Sequence, residues 1–146
     1  MYAYPFFRRQ SATSSRLLMA PSAEVKRLEN VESGRPKPKE EVLAEGITFV
    51  RTNGGDPSDQ FLVLAHCKLQ FGKYQGQRFK LLLENSQGYA VYLVLSISQE
   101  TAQTTPLSEN KQLFLQYTRE MAEEVEKYER KQEMQAEDQD LETRAA

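Results

Sequence analysis

Between Asp59 and Glu84 the chain carries no acidic residue, and inside that window it places Lys68, Lys73, Arg78 and Lys80 around Phe71. Cations interleaved with an aromatic ring are the side chains that contact phosphates and stack on bases, so the chemistry this window predicts is binding of single-stranded DNA or RNA. Arg78 adds a planar fork able to grip a phosphate through two parallel hydrogen bonds. The plainer alternative is a solvated face of long cations with no dedicated ligand.

No set of residues has the types and spacing of a catalytic site. His66 and Cys67 are adjacent and each is the sole residue of its type, so an extended chain cannot aim both into one site, and no zinc-ligand spacing forms around them. Cys67 reads as a small buried side chain. Asp56, Asp59 and Glu84 are the carboxylates that could hold magnesium for phosphodiester chemistry, but helix capping accounts for both aspartates. Gly72-Lys73 and Gly76 lack the spacing of a phosphate loop. The expectation is a non-enzymatic protein with no cofactor and no metal.

The element expected to position the cations is Phe71-Gly72-Lys73-Tyr74-Gln75-Gly76-Gln77-Arg78-Phe79, read as a β-hairpin with a two-residue turn at Gln75-Gly76. That register sets Tyr74 opposite Gln77, Lys73 opposite Arg78 and Gly72 opposite Phe79. Alternation then gives an inner face built on Gly72, Tyr74 and Phe79, with Gly76 making the turn, and an outer face of Phe71, Lys73, Arg78 and Lys80. Like charges directly across a ribbon repel, and a bound anion would relieve Lys73 and Arg78.

Around this hairpin the pattern predicts short helices. Ser22 to Glu32 could form one, followed by the linker Gly34-Arg35-Pro36-Lys37-Pro38-Lys39. Ile47 to Val50 reads as a possible strand. Asn53 to Pro57 is a turn, with Asp56 as the expected cap of a helix beginning at Pro57 and burying Phe61, Leu62, Leu64 and Ala65. Phe79 to Glu84 and Tyr89 to Leu95 follow as helical stretches, the second also compatible with a strand. Thr105 or Ser108 starts a last helix with Pro106 in its first turn and an apolar stripe of Leu113, Phe114, Tyr117, Met121, Val125 and Tyr128. Heptad positions along it are too charged for a coiled coil, so it should pack on the domain.

The fold class expected is therefore α+β, a small β-hairpin against two or three short helices, with a longer C-terminal helix and disordered ends. Residues 1–44 are expected as a mostly disordered tail and linker, 45–129 as the domain, and 130–146 as an acidic disordered tail. The apolar share of the 146 residues, 39%, is low enough to fit unfolded ends. Net charge is −2 but unevenly spread: residues 119–146 hold five bases and ten acids, and 61–118 hold five bases and three acids. That balance excludes a strong global pull on nucleic acid or membrane and leaves only a local basic patch. No apolar run reaches the length of a membrane span. A single cysteine fits a reducing compartment, nuclear or cytoplasmic. A mitochondrial address stays open because the acid-free first twenty residues hold Arg8, Arg9 and Arg16.

The hairpin sequence, followed by Leu82-Leu83-Glu84-Asn85, Gly88-Tyr89-Ala90, Tyr92 and Leu93, resembles the small C-terminal domain of exodeoxyribonuclease X and related exonucleases. A longer run, through Pro106-Leu107-Ser108-Glu109-Asn110-Lys111 and Tyr117, resembles a group of fish proteins bearing the same motif. The chain departs from the pattern where Leu81 and Tyr92 stand in place of tryptophan, and where Asn85-Ser86-Gln87-Gly88 replaces an acidic-proline turn. The resemblance implies an accessory module attached to nucleic-acid enzymes, without the catalytic exonuclease domain. Two readings follow. The chain is a non-catalytic module contacting single-stranded DNA or RNA, or a nucleic-acid enzyme, through Lys68, Phe71, Lys73, Arg78 and Lys80. The alternative is a protein-interaction module acting through the amphipathic helix 108–129.

Overall fold

The computed structural model describes residues 1–9, 17–23 and 35–145. Arg16, Gly34 and nearly all of the expected Ser22–Glu32 helix lie outside the described residues. Five helices have defined limits: α1 Lys39–Thr52, α2 Gln60–Ala65, α3 Phe79–Asn85, α4 Gln87–Ser98 and α5 Pro106–Ala145. Among the described residues there is no sheet, only isolated antiparallel bridges at Arg9–Leu17 and Lys68–Arg78. The α+β class with a β-hairpin is therefore corrected to an all-helical bundle.

Each helix starts where local chemistry permits. Pro38 precedes α1, whose first turn carries Glu40 and Glu41 and whose last carries Arg51, matching the helix dipole at both ends. Val42, Gly46 and Val50 recur every four residues and form its buried face. Ile47 to Val50, expected as a strand, is the end of this helix. A Cβ on Gly46 would meet Val63 O at 3.1 Å and Cys67 Sγ at 3.2 Å, so the glycine lets α1 lie close against α2. Asp59 caps α2 by accepting from Leu62 N at 3.1 Å. Asp56, the expected cap, instead holds a turn, accepting from Ser58 N at 2.9 Å and Ser58 Oγ at 2.7 Å. The Thr105 hydroxyl accepts from Ser108 N at 3.2 Å, and Pro106 is the first residue of α5.

The core gathers Leu62, Val63 and Leu64 of α2, Phe79, Leu82 and Leu83 of α3, Ala90, Leu93 and Ile97 of α4, and Leu113, Phe114 and Tyr117 of α5. Phe79 meets Phe114 edge-on with centroids 5.3 Å apart, and Phe61 stacks on Tyr117 at 5.3 Å. The stripe expected on α5 is thus packed inward from Leu113 to Tyr117, with Met121 partly buried against the core. The side chains of Val125 and Tyr128 lie outside the described residues. The helix bounds run on to Ala145, with Glu126 and Arg130 paired at 2.7 Å one turn apart.

The first residues pack on this bundle. Ala3 and Pro5 are buried, and Ala3 O accepts a 2.7 Å hydrogen bond from the Tyr117 hydroxyl. Arg9 bridges Leu17, turning the arm back so that Met19 O accepts from Gly88 N at 3.1 Å.

Candidate binding surface

The loop from Cys67 to Phe79 does reverse direction, but as a nine-residue excursion closed by the single bridge Lys68–Arg78, not as a ribbon. Leu69 N donates to Gln77 O at 2.8 Å, Phe79 N to Cys67 O at 2.9 Å and Gly76 N to Leu69 O at 2.8 Å. Arg78 therefore pairs with Lys68, not with Lys73, and Gln75-Gly76 is not a two-residue turn. The physical reason is the pair of glycines: Gly72 at φ 73° and Gly76 at φ 91° both take left-handed conformations. These kinks break the alternation and let Phe71, Tyr74 and Phe79 all point inward, at 7%, 1% and 0% exposure. Burying three rings outweighs the few ladder bonds a longer hairpin would add. From α5, Asn110 pins the loop, its amide donating to Lys68 O at 3.0 Å and accepting from Gln70 N at 2.9 Å.

The five expected ligand-binding residues do not form one face. Phe71 is in the core, with Lys111 Nζ 5.5 Å from its ring centroid. Lys68 and Arg78 come together beside α1, where the Arg78 guanidinium lies 3.7 Å from the centre of the Phe49 ring and donates to His66 O at 2.6 Å. A groove lined by Glu41, Glu45, Thr48 and Phe49 runs past them. Lys80 pairs with Glu84 at 2.5 Å and lies 5.3 Å from the Phe6 ring. Lys73 turns to α4, its ammonium 5.2 Å from the centres of both Tyr74 and Tyr89.

Sequence reasoning missed the surface that Lys73 reaches. Tyr89 stands edge-on to Tyr74 at 5.1 Å and stacked on Tyr92 at 6.0 Å. Its hydroxyl takes a backbone hydrogen bond from Lys73, while burial raises its pKa above the ordinary phenol value. A Cβ at Gly72 would collide with that hydroxyl, a second reason for glycine besides its φ. Along the outside of α4, Val91, Tyr92 and Leu95 are 50%, 61% and 60% exposed. No charged residue occurs between Glu84 and Glu100, so this is an uncharged apolar face with a lysine at its edge. The readable signal was the surplus: Val91, Tyr92 and Leu95 stand off the stripe of Ala90, Leu93 and Ile97 that enters the core.

The groups weighed for catalysis are held in separate roles. Burial pushes the Cys67 thiol up to about 12, and its sulfur sits 3.3 Å from Val63 O, so it is a protonated core side chain at neutral pH. Burial, then the charges of Arg78 and Lys80, push His66 down to about 4. Its ring packs on Phe49 at 4.9 Å, and its buried Nε2 has no hydrogen-bond partner among the described residues. The Ser58 hydrogen bonds hold Asp56 below the usual carboxylate range. Asp59 caps α2 and Glu84 pairs with Lys80. Among the described residues no three His, Cys, Asp or Glu side chains gather as a metal site, and no helix is long and apolar enough to cross a membrane.

No protein-family model matches the chain, and neither a curated protein nor a solved structure does.

Proposed function

We propose that this chain is a non-catalytic binding module that docks another protein on the outer face of α4, with Lys73 and Tyr89 at the edge of the contact. One observation carries the reading: Val91, Tyr92 and Leu95 project together from a helix without a charged residue. Exposed apolar side chains clustered on one helix, rimmed by polar groups, mark interaction sites, and a central aromatic is the commonest anchor of such contacts. The interaction surface thereby moves from helix 108–129, whose Leu113, Phe114 and Tyr117 are consumed by the core, to α4. A photo-crosslinking side chain at Leu95 tests this in extracts. It should give an adduct of defined mass that excess unlabelled chain abolishes and excess Leu95→Lys chain does not. Equal adducts from a probe at exposed Glu123 would sink the reading.

A second reading, single-stranded DNA or RNA, is favoured by the Tyr89–Tyr92 ring pair beside the Lys73 ammonium. Tyr92 would stack a base and Lys73 would meet a phosphate. The resemblance to exonuclease-associated domains would make a nucleic-acid enzyme the wider partner. Stacking on one such ring is worth about 1–3 kcal/mol, so Tyr92→Ala should weaken oligonucleotide binding by roughly tenfold or more. Affinity should also fall with added salt. Binding that is flat in salt, or unchanged by Lys73→Glu, removes this reading and leaves the first standing.

A further inference from the structure

The arm formed by residues 1–9 and 17–23 is seated as a peptide ligand would be. Its contacts at the α3–α4 junction are directional and polar. The side chain of Gln87, 3% exposed, accepts from Arg8 N at 2.5 Å and donates to Arg8 O at 3.1 Å, and its amide nitrogen also reaches Leu18 O. A side-chain amide that pairs with both backbone groups of one residue does what a neighbouring strand would do. The Arg8 guanidinium then binds Glu84 O at 2.7 Å, Asn85 O at 2.8 Å and the arm's own Ala20 O at 2.7 Å. Glu84 and Asn85 are the last residues of α3, where carbonyls lack helical partners and the helix dipole favours a cation. Ser22 N adds a 2.7 Å bond to Asn85 O. Beside Arg8, Phe7 packs against the core, and Phe6 lies under the Lys80 ammonium.

We infer that the α3–α4 junction is a receptor for an extended peptide bearing arginine after an aromatic residue, and that Phe6-Phe7-Arg8 of this chain is its resident occupant. The receptor groups are the carbonyls of Glu84 and Asn85, the amide of Gln87 and the backbone of Gly88. Gly88 belongs to the set because a Cβ there would lie 2.7 Å from Met19 O. All of these groups but the Glu84 carbonyl fall in Asn85-Ser86-Gln87-Gly88, the segment where the resemblance to the exonuclease-associated motif breaks. The chemistry selects arginine: the planar guanidinium meets several carbonyls at once, which a lysine ammonium cannot match in geometry. The Arg8 cluster is one of two anchors, the other being the buried bond from the Tyr117 hydroxyl to Ala3 O. With the first broken, the Phe6-Phe7-Arg8 segment can leave while the helices stay folded, and a competing segment of the same pattern can then enter.

The test uses the full chain. Arg8→Ala loosens the resident Phe6-Phe7-Arg8 segment, and a synthetic peptide spanning Tyr2 to Arg9 is offered in trans. The Arg8→Ala chain should bind this peptide roughly tenfold more tightly than the wild-type chain does, because the resident no longer competes. A peptide with alanine in place of its arginine should not bind, and adding Gln87→Ala to the chain should abolish binding of the native peptide. Equal affinity of wild-type and Arg8→Ala chains, or equal binding of both peptides, overturns the proposal. Should Arg8→Ala fail to fold, the arm is a structural member and the proposal also falls. Hydrogen exchange on the wild-type chain gives an independent arm. The Phe7 to Arg9 amides should open well before those of Leu82 and Leu83, whereas exchange of both only through global unfolding overturns the idea.

Discussion

The loop from Cys67 to Phe79 and helix α4 touch through Tyr74 and Tyr89, yet they use their rings in opposite ways. The loop buries Phe71, Tyr74 and Phe79 and leaves its cations at the rim. Helix α4 buries a narrow stripe and leaves Val91, Tyr92 and Leu95 in water. The loop has little regular secondary structure to hold it, so it is stable only if its rings fill the core. The helix satisfies its own backbone and can present apolar side chains outward without unfolding. The irregular segment is therefore a structural keystone, and the regular one is free to carry a contact surface.

That contrast can be broken at several strengths. Phe79→Ala empties a fully buried site between Phe114 and Tyr117 and should cost about 3–5 kcal/mol, measured by urea unfolding. A cost near zero would mean the loop does not hold the core. Gly72→Ala should cost about 1–3 kcal/mol, since it combines a left-handed φ with a collision against the Tyr89 hydroxyl. Its signature is a shift in Tyr89 fluorescence or exchange, distinguishing it from a simple loop effect.

The pH dependence should be smaller. His66 has a folded pKa of about 4 against an ordinary value of 6.5, so between those values the unfolded chain takes up a proton that the folded chain refuses. Stability is fully present above pH 6.5 and falls as pH drops toward 4. The ring is only partly buried, so solvent screening reduces the effect to about 1 kcal/mol. His66→Gln should flatten that part of the pH–stability curve, and an unchanged slope would show that the ring is not held neutral. At the bottom of the scale, Tyr92→Ala and Leu95→Lys should move stability by no more than about 0.5 kcal/mol while abolishing partner binding. A large loss of stability from either would place the α4 face inside the fold and end the proposal that it docks a partner.

What the chain itself determined is local. Thr105 before Pro106 marks a helix start because its oxygen caps a free backbone N–H within one turn, and the aspartates before Phe61-Leu62 announce another, though the cap there is Asp59 and not the expected Asp56. The spacing of Leu113, Phe114 and Tyr117 defines an inward face because helical geometry repeats within four residues. The ion pair of Lys80 with Glu84, four apart, is legible in the same way. Gly76 was readable as a turn residue, though the type of turn was not, whereas Gly72 read as a strand position facing Phe79 and its left-handed φ was not foreseen.

Only the tertiary structure decided where the cations point and what the rings do. Arg78 is placed by Phe49, Lys73 by Tyr89, and the loop itself by Asn110, partners that lie sixteen or more residues away. Strand alternation assumed that each ring chooses a face by parity. Instead, the core drew in Phe71, Tyr74 and Phe79 together, because apolar burial is non-directional and glycine let the backbone follow. Gln87 carried no sign of its role for the same reason: a buried amide is recognisable only once the backbone it holds, at Arg8 and Leu18, has arrived from the far end of the chain.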